Sequence, residues 1–166
     1  MNTLAAPGKD VVDAFRVAMR CMTSTVTIVT ASDGVRRHGM TMTAVTSLSM
    51  DPPALLICVN RSALLSDILI AARHFCVNVL RHDQTEVSKA FSGTVPPEAR
   101  FSVDRWDAHP SGVDYLGAAQ ANIVCDKAAA MPYGSHLIVI GNIRDVILHD
   151  GNGDSRPLLY RDAAYC

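Results

Sequence analysis

The chain lacks several features that would assign its class at once. It has no surplus of basic residues: 15 Lys and Arg stand against 16 Asp and Glu, for a formal net charge of −1. No broad positive field is therefore present to hold nucleic acid or an anionic membrane. No apolar run approaches the roughly 18 residues that a membrane-crossing helix needs. The first ten residues lack the basic-then-apolar order of a secretory signal, so the expected location is the cytoplasm. The cysteines, at 21, 58, 76, 125 and 166, are odd in number and scattered, with no Cys-x-x-Cys and no His-x-x-x-His. That argues against a disulfide framework and offers no metal-ligand spacing, so no metal is expected. Cys58, Cys76 and Cys125 lie in apolar runs and are expected as small buried hydrophobes. Cys166 is expected as a free thiol. There is no Walker phosphate loop and no Gly-x-Ser-x-Gly elbow. Gly151-Asn152-Gly153 opens like a dinucleotide fingerprint but lacks the third glycine and the following helix, so it reads as a turn. If a nucleotide cofactor binds, a Rossmann crevice is not how.

What is present is a compact, soluble composition. Of 166 residues, 49% are apolar and 19% charged, enough for a real core in one domain. Residues 1–9 read as a flexible tail and 10–166 as a single domain. Asp10 is expected to cap a helix with Val11, Phe15, Ala18, Met19 and Met22 on its apolar face. Thr25 to Thr30 alternates like a half-buried strand, and Ser32-Asp33-Gly34 turns the chain into a hairpin. Ala54 to Val59 reads as a buried strand. Ser62 is placed to cap a helix from Ala63 to about Arg73, with Leu64, Leu65, Ile68, Leu69 and Ala72 inward. Phe75 to Leu80 is a strand, and Asp83 with Glu86 forms a capping-box pattern opening a helix to about Phe91. Residues 100–113 look irregular. Ala118 to Cys125 is a strand, Met131 to Ser135 a turn, and His136 to Leu148 a long strand that Gly141 should bulge. Asp150 to Ser155 is a polar turn before a last short strand, Arg156 to Tyr160. Many strands, short helices and little β-α-β alternation make the class mainly β: an antiparallel β-barrel with peripheral helices.

The stretch from His38 to Pro53 is crowded with hydroxyls and small residues and carries almost no charge before Asp51. As a strand it is ordinary, since Thr and Val favour strands. Hydroxyls and closely approaching backbone also suit a polar ligand. Met40 and Met42 share one strand face, where packing is their default. His136 follows Gly134-Ser135 and opens a long strand, which sets it at a barrel rim, where barrels place ligands. His38 flanks a turn. Arg100-Phe101 offers a cation and a ring, suited to clamping an anion or stacking.

A series of segments then occurs in a familiar order: Phe15-Arg16-x-Ala18-Met19, Thr25 to Thr30, His38-Gly39-Met40-Thr41, Thr46 to Pro53, Phe75 to Leu80, Phe91-Ser92-Gly93, Arg100-Phe101, Gly134-Ser135-His136, Ile140-Gly141 and Pro157 to Tyr160. Over Phe15 to Tyr160 the chain resembles the short-chain flavin reductases, NAD(P)H:flavin oxidoreductases that serve two-component monooxygenases. The resemblance implies an FMN-binding split barrel of antiparallel Greek-key order, working as a homodimer. It implies FMN or FAD as the flavin, NADH or NADPH as the hydride donor, and a monooxygenase that receives reduced flavin.

The same resemblance assigns residues. Met40, Thr41, Met42, Thr43, Ala44 and Ser47 match the segment that contacts the flavin ring and ribityl chain. Asn60, Ser62 and Ala63 match the phosphate segment, in keeping with a helix start there. Ser88, Lys89 and Phe91 match a further flavin segment, with Arg100 and Phe101 nearby. His136 matches the histidine that positions nicotinamide, and Tyr160 lies in the matching C-terminal nicotinamide segment. The chain has Gly134-Ser135-His136 where the family often has Gly-Asp-His. Two other readings are a flavoprotein reducing another acceptor, such as a cobalt corrinoid, and a non-catalytic flavin- or haem-binding barrel.

Overall fold

The computed structural model describes residues 8–149 and 156–166. Residues 1–7 of the expected tail and the expected polar turn at 150–155 lie outside the described residues. Lys9 belongs to helix α1 (Lys9–Arg20), so the tail boundary moves back. Among the described residues twelve strands follow in chain order: β1 (Ser24–Thr25), β2 (Thr27–Ser32), β3 (Arg37–Met42), β4 (Val45–Met50), β5 (Pro53–Asn60), β6 (His74–Val79), β7 (Trp106–Ala108), β8 (Asp114–Leu116), β9 (Ala121–Tyr133), β10 (His136–Leu148), β11 (Leu159–Arg161) and β12 (Ala164–Tyr165). Seven of them form one antiparallel sheet in the order β3-β2-β6-β9-β10-β5-β4. Its edges are β3 and β4, so the ladder does not close into a complete barrel. Two small sheets, β1-β11-β12 and β7-β8, flank it. Among the described residues no helix is long and apolar enough to cross a membrane.

The period-2 and turn signals find most of the strands, with instructive shifts. Thr27, Ile28, Val29 and Thr30 are all buried, not half-buried. One apolar cluster, with Val29, Ile57, Leu65, Ile68, Phe75 and Val139, lies on one side. A second, with Ile28, Leu80, Phe91, Leu116 and Leu158, lies on the other. The threonines tolerate this because their hydroxyls donate to carbonyls: Thr27 to Met42 at 2.8 Å and Thr30 to Asp114 at 2.5 Å. Most of the stretch His38 to Pro53 is two edge strands, broken at Thr43-Ala44, and it ends in a turn at Asp51-Pro52 with Pro53 opening β5. The expected turn at 131–135 shrinks to Gly134-Ser135, because Met131, Pro132 and Tyr133 pair with β10. Gly134 supplies the positive φ of +54° that this tight reversal needs. The expected bulge at Gly141 is present as a register shift. A side chain there would collide with the Phe75 ring and with Cys125 Cβ.

The helix starts are where the sequence misleads. None of the three expected caps forms. α1 starts after Gly8, with Asp10 inside its first turn. α2 (Leu64–Ala71) starts after Ala63, not with a Ser62 cap, and Leu64 faces solvent while Leu65, Ile68 and Leu69 are buried. α3 (Thr85–Lys89) starts after Gln84. Asp83 is instead paired with Arg81 at 3.0 Å and Glu86 with Lys89 at 2.7 Å. A local ion pair satisfies each carboxylate without the backbone. The chain then makes a π-type turn at Ala90–Thr94 and a 3-10 turn at Pro97–Ser102. The expected irregular stretch holds the β7-β8 hairpin. Cys76 and Cys125 are buried as expected, Cys58 is half-buried and Cys166 is exposed.

Between the sheets lies a buried amide pair. Asn78 donates to Ile28 O at 2.8 Å and accepts from Leu116 N at 2.8 Å and from Asn122 Nδ2 at 2.7 Å. Both side chains are fully buried. They tie β2, β6, β8 and β9 together through satisfied polar groups.

Candidate functional site

The sheet places the assigned residues in two zones. The first is the rim where β5 ends and β10 begins. Asn60 and His136 are direct cross-strand partners, and Tyr133 pairs with His136 from the other side. His136 is exposed, with Ser135 Oγ 2.9 Å from its Nδ1. The Asn60 carboxamide oxygen accepts from Ser62 N at 3.0 Å and Ser62 Oγ at 2.9 Å. The loop into α2 is thus an Asx turn, and the Ser62 hydroxyl is spent on Asn60. Asn60 and His136, distant in sequence, thus share one rung of the β5-β10 ladder.

From there the row continues to the sheet edge. Cys58 N donates to Ala44 O at 3.0 Å, and Ser47 pairs with Leu55. Thr43, Ala44 and Ser47 are exposed. An edge strand keeps half of its peptide groups unpaired in the ladder, and these can bind a polar ligand. The exposed hydroxyls, the edge of β4 and the Asn60–Ala63 turn fit the hydrogen-bonding face of a flavin and its phosphate. Among the described residues no group of three or more His, Cys, Asp or Glu side chains gathers to hold a metal ion.

The second zone is a brace behind β3. Thr41 Oγ1 donates to Ser88 O at 2.6 Å, and Ser88 Oγ meets the Tyr165 hydroxyl at 2.9 Å. Arg100 is buried and donates to Val95 O at 3.1 Å and Gly39 O at 3.0 Å. Its Nη1 also lies 3.4 Å from His38 Nε2. The sequence offered Arg100 as an anion clamp, but its guanidinium is engaged by carbonyls of its own chain. The Phe91 ring packs edge-on to Phe101, centroids 5.3 Å apart, and at 4.9 Å from Trp106. Arg37 covers Phe101 at 4.5 Å. Gly39 is small for a reason: a Cβ there would stand 2.5 Å from the Phe91 ring.

The structure therefore sorts the assigned residues. Thr43, Ala44, Ser47, Asn60, Ser62 and His136 are exposed, and Ala63, Met40 and Thr41 are half-buried near them. Met42, Ser88 and Phe91 are buried, so their side chains support the wall and do not line it. Lys89 is exposed and bound to Glu86. Tyr160 sits in the three-stranded sheet, ring to ring with Tyr165 at 5.5 Å, and so on a different sheet from His136. Sequence reasoning missed two residues. His38, expected beside a turn, is buried against Arg100. Burial first, then the Arg100 charge, holds its pKa down to about 4. Arg61, between two assigned residues, anchors the rim by donating to Gly134 O at 3.3 Å. Its only sequence signal was that position.

The chain is similar to known proteins along its whole length. Residues 19–166 match the family described as flavin reductase like domain. The chain is 48% identical to the reductase component of the FADH(2)-dependent resorcinol hydroxylase of Rhizobium sp. (strain MTP-10005), covering 100% of this chain and 91% of that protein. It is 36% identical to an FMN reductase (NADH), RutF, of Escherichia coli, over 81% of this chain and 82% of that one. The solved structure of NADH:FAD oxidoreductase SgcE6 from Streptomyces globisporus C-1027 superposes with a TM-score of 0.85 at 26% identity, covering 100% of this chain and 97% of that one.

Proposed function

The chain belongs to the flavin reductase-like family, and from that premise we propose that it transfers a hydride from NADH or NADPH to FMN or FAD and passes reduced flavin to a partner monooxygenase. The observation that carries this reading is the rim itself: an exposed histidine on the same rung as Asn60, the first residue of an exposed Asx turn, beside an open sheet edge rich in hydroxyls. Flavin, when bound, supplies the ring that accepts the hydride. The protein's work is to hold two rings in contact and keep them aligned. Peptide N–H groups along Thr41 to Ala44, with the Ser47 hydroxyl, orient the flavin. Asn60, Ser62 and Ala63 receive its phosphate. His136 positions the nicotinamide, with Tyr160 as a further nicotinamide contact. Arg100, Phe101, Ser88, Lys89 and Phe91 brace the flavin wall.

The open sheet is read as a split barrel of Greek-key order, in a single domain over 10–166, and the enzyme as a cytoplasmic homodimer. Exposed apolar side chains support the dimer: Phe15 and Met19 on α1, Met22 just past its end, and Met131, Tyr133 and Leu148 on β9 and β10.

Purified protein is expected to oxidise NADH or NADPH only when FMN or FAD is present, with anaerobic bleaching of the flavin. No turnover with any of the four pairings would overturn the reading. Bleaching that passes electrons to a cobalt corrinoid but not to free flavin would favour the other-acceptor reading. A bound flavin that neither nucleotide bleaches would favour the binding protein. Replacing His136 by Ala is expected to raise KM for the nicotinamide nucleotide about tenfold, the loss of one or two hydrogen bonds, with flavin affinity retained. An unchanged KM would remove His136 from that role.

A further inference from the structure

Beside the rim lies a pocket that the assigned residues do not account for. It is a half-open cleft of about 620 Å³ between α2 and β9, and its walls include Arg61, Asp67, Ile70, Lys127, Pro132 and Leu137. That size falls within the roughly 300–1,000 Å³ of small-molecule sites. Arg61 leads into it from the middle of the Asn60–Ala63 turn. Its backbone is fixed by Ser135 O at 2.9 Å, and one guanidinium nitrogen by Gly134 O. The other donors of the fork remain, and among the described residues no carboxylate forms an ion pair with Arg61. Asp67, in the first turn of α2, likewise has no cationic partner among the described residues and is exposed. Lys127 spends its ammonium on the last carbonyls of α2, Leu69 O at 2.8 Å and Ile70 O at 2.5 Å. It leaves a cationic wall that does not neutralise Asp67. Ile70, Pro132 and Leu137 give an apolar surface.

A fork-shaped cation, an unpaired carboxylate and an apolar floor in one pocket match the three parts of an adenylate group. Guanidinium pairs with phosphate in two-point geometry. A carboxylate accepts from a ribose diol, as acidic residues do in dinucleotide sites, and repels a 2′-phosphate. The base takes the apolar wall. We propose that this pocket seats the adenylate half of a dinucleotide substrate, its phosphate on Arg61 and its ribose on Asp67. The proposal rests on the flavin reductase reading. Two substrates carry that group, FAD and NADH, and the pocket's position beside the flavin-phosphate turn and His136 is within reach of either.

The test uses the intact protein and AMP as the probe. Calorimetric titration is expected to show AMP binding that weakens about tenfold or more in Arg61→Ala, partly recovers in Arg61→Lys, and weakens in Asp67→Asn. Far-UV circular dichroism and thermal melts establish that each variant is folded. Competition kinetics then assign the source. AMP competing with FAD but not with FMN places the flavin's adenylate in the pocket. AMP competing with NADH, whichever flavin is used, places the nicotinamide nucleotide there, with NADPH a poorer donor that improves in Asp67→Asn. Absence of AMP binding to the wild-type protein, equal binding by all variants, or competition with FMN would overturn the proposal. NADH oxidation with FMN as acceptor separates the two failures. If it is absent, the reductase reading falls; if it proceeds while AMP does not bind, only the pocket assignment falls.

Discussion

Replacing Phe91 by Ala is expected to destabilise the protein by about 3–5 kcal/mol, the range for emptying a buried aromatic site. Phe91 is fully buried at the centre of the second apolar cluster. Its ring touches Phe101 and Trp106 and lies against the bare backbone of Gly39. Those contacts come from the turns at Ala90–Thr94 and Pro97–Ser102, from the β7-β8 hairpin and from β3, which are not joined to one another by a continuous ladder. The ring is what they share. A truncated side chain leaves a void that rigid strands on one side cannot close. Natural domains have only about 5–15 kcal/mol in hand, so this single change uses a large share. Urea denaturation measures it. Phe91→Leu should lose clearly less, because it keeps most of the apolar volume. A Phe91→Ala midpoint equal to the wild type's, at equal slope, would show that the ring does not hold these elements together. The effect should also reach the proposed flavin wall, since Thr41 hangs on Ser88 O in the helix that leads directly into Phe91.

The strands were largely legible in the sequence, and the reason is physical. Alternation and turn residues report a local constraint, the two-sided pleat, that tertiary contacts do not change. β5, β6 and β10 fall within a residue or two of their expected ends, and the Gly141 bulge is where a glycine inside a strand says it should be. The helix caps were illegible for the opposite reason. A cap depends on one side-chain rotamer, and Asp83, Glu86 and Ser62 each found a nearer partner. Neither β9's extension through Pro132 nor the break at Thr43-Ala44 has a local signal, since both follow from pairing with strands elsewhere in the chain. The site was legible only as a series of segments. That Asn60 and His136 share a rung is a consequence of β5-β10 register, which no spacing encodes. The same limit hid the split within the assigned set. Sequence marks Met42, Ser88 and Phe91 as belonging near the site, and only packing shows that they stand behind it.

Lowering the pH from 6.5 to 4 is expected to remove up to about 3 kcal/mol of stability through His38 alone. In the folded protein its pKa is held to about 4, against an ordinary value of 6.5, by burial first and by the Arg100 charge second. The sign follows directly. The fold accommodates the neutral imidazole, so above pH 6.5 the full stability is present. Between 6.5 and 4 the unfolded chain takes up a proton that the folded chain refuses, and stability falls. Below 4 both states are protonated and this loss is complete. Asp33 acts in a lower window: hydrogen bonds from Arg36 N and Val35 N, and from the Arg36 side chain, hold its carboxyl at about 2. Its contribution, present above 3.8, fades only below that value. The Asp83 and Asp126 carboxyls, held low by Arg81 and by Arg144, belong to that lower window too, so denaturant midpoints across pH 4 to 7 read the histidine once compared with a variant that cannot titrate there. His38→Gln keeps an acceptor for Arg100 and cannot titrate, so its profile should be flatter over that range. A wild-type profile flat from 6.5 to 4, or a Gln variant with the same slope, would exclude the effect. Because Arg100 also holds Gly39 O and the turn at Val95, protonating His38 places two cations 3.4 Å apart behind the proposed flavin wall. Flavin affinity should then weaken in the same interval, and do so less in His38→Gln.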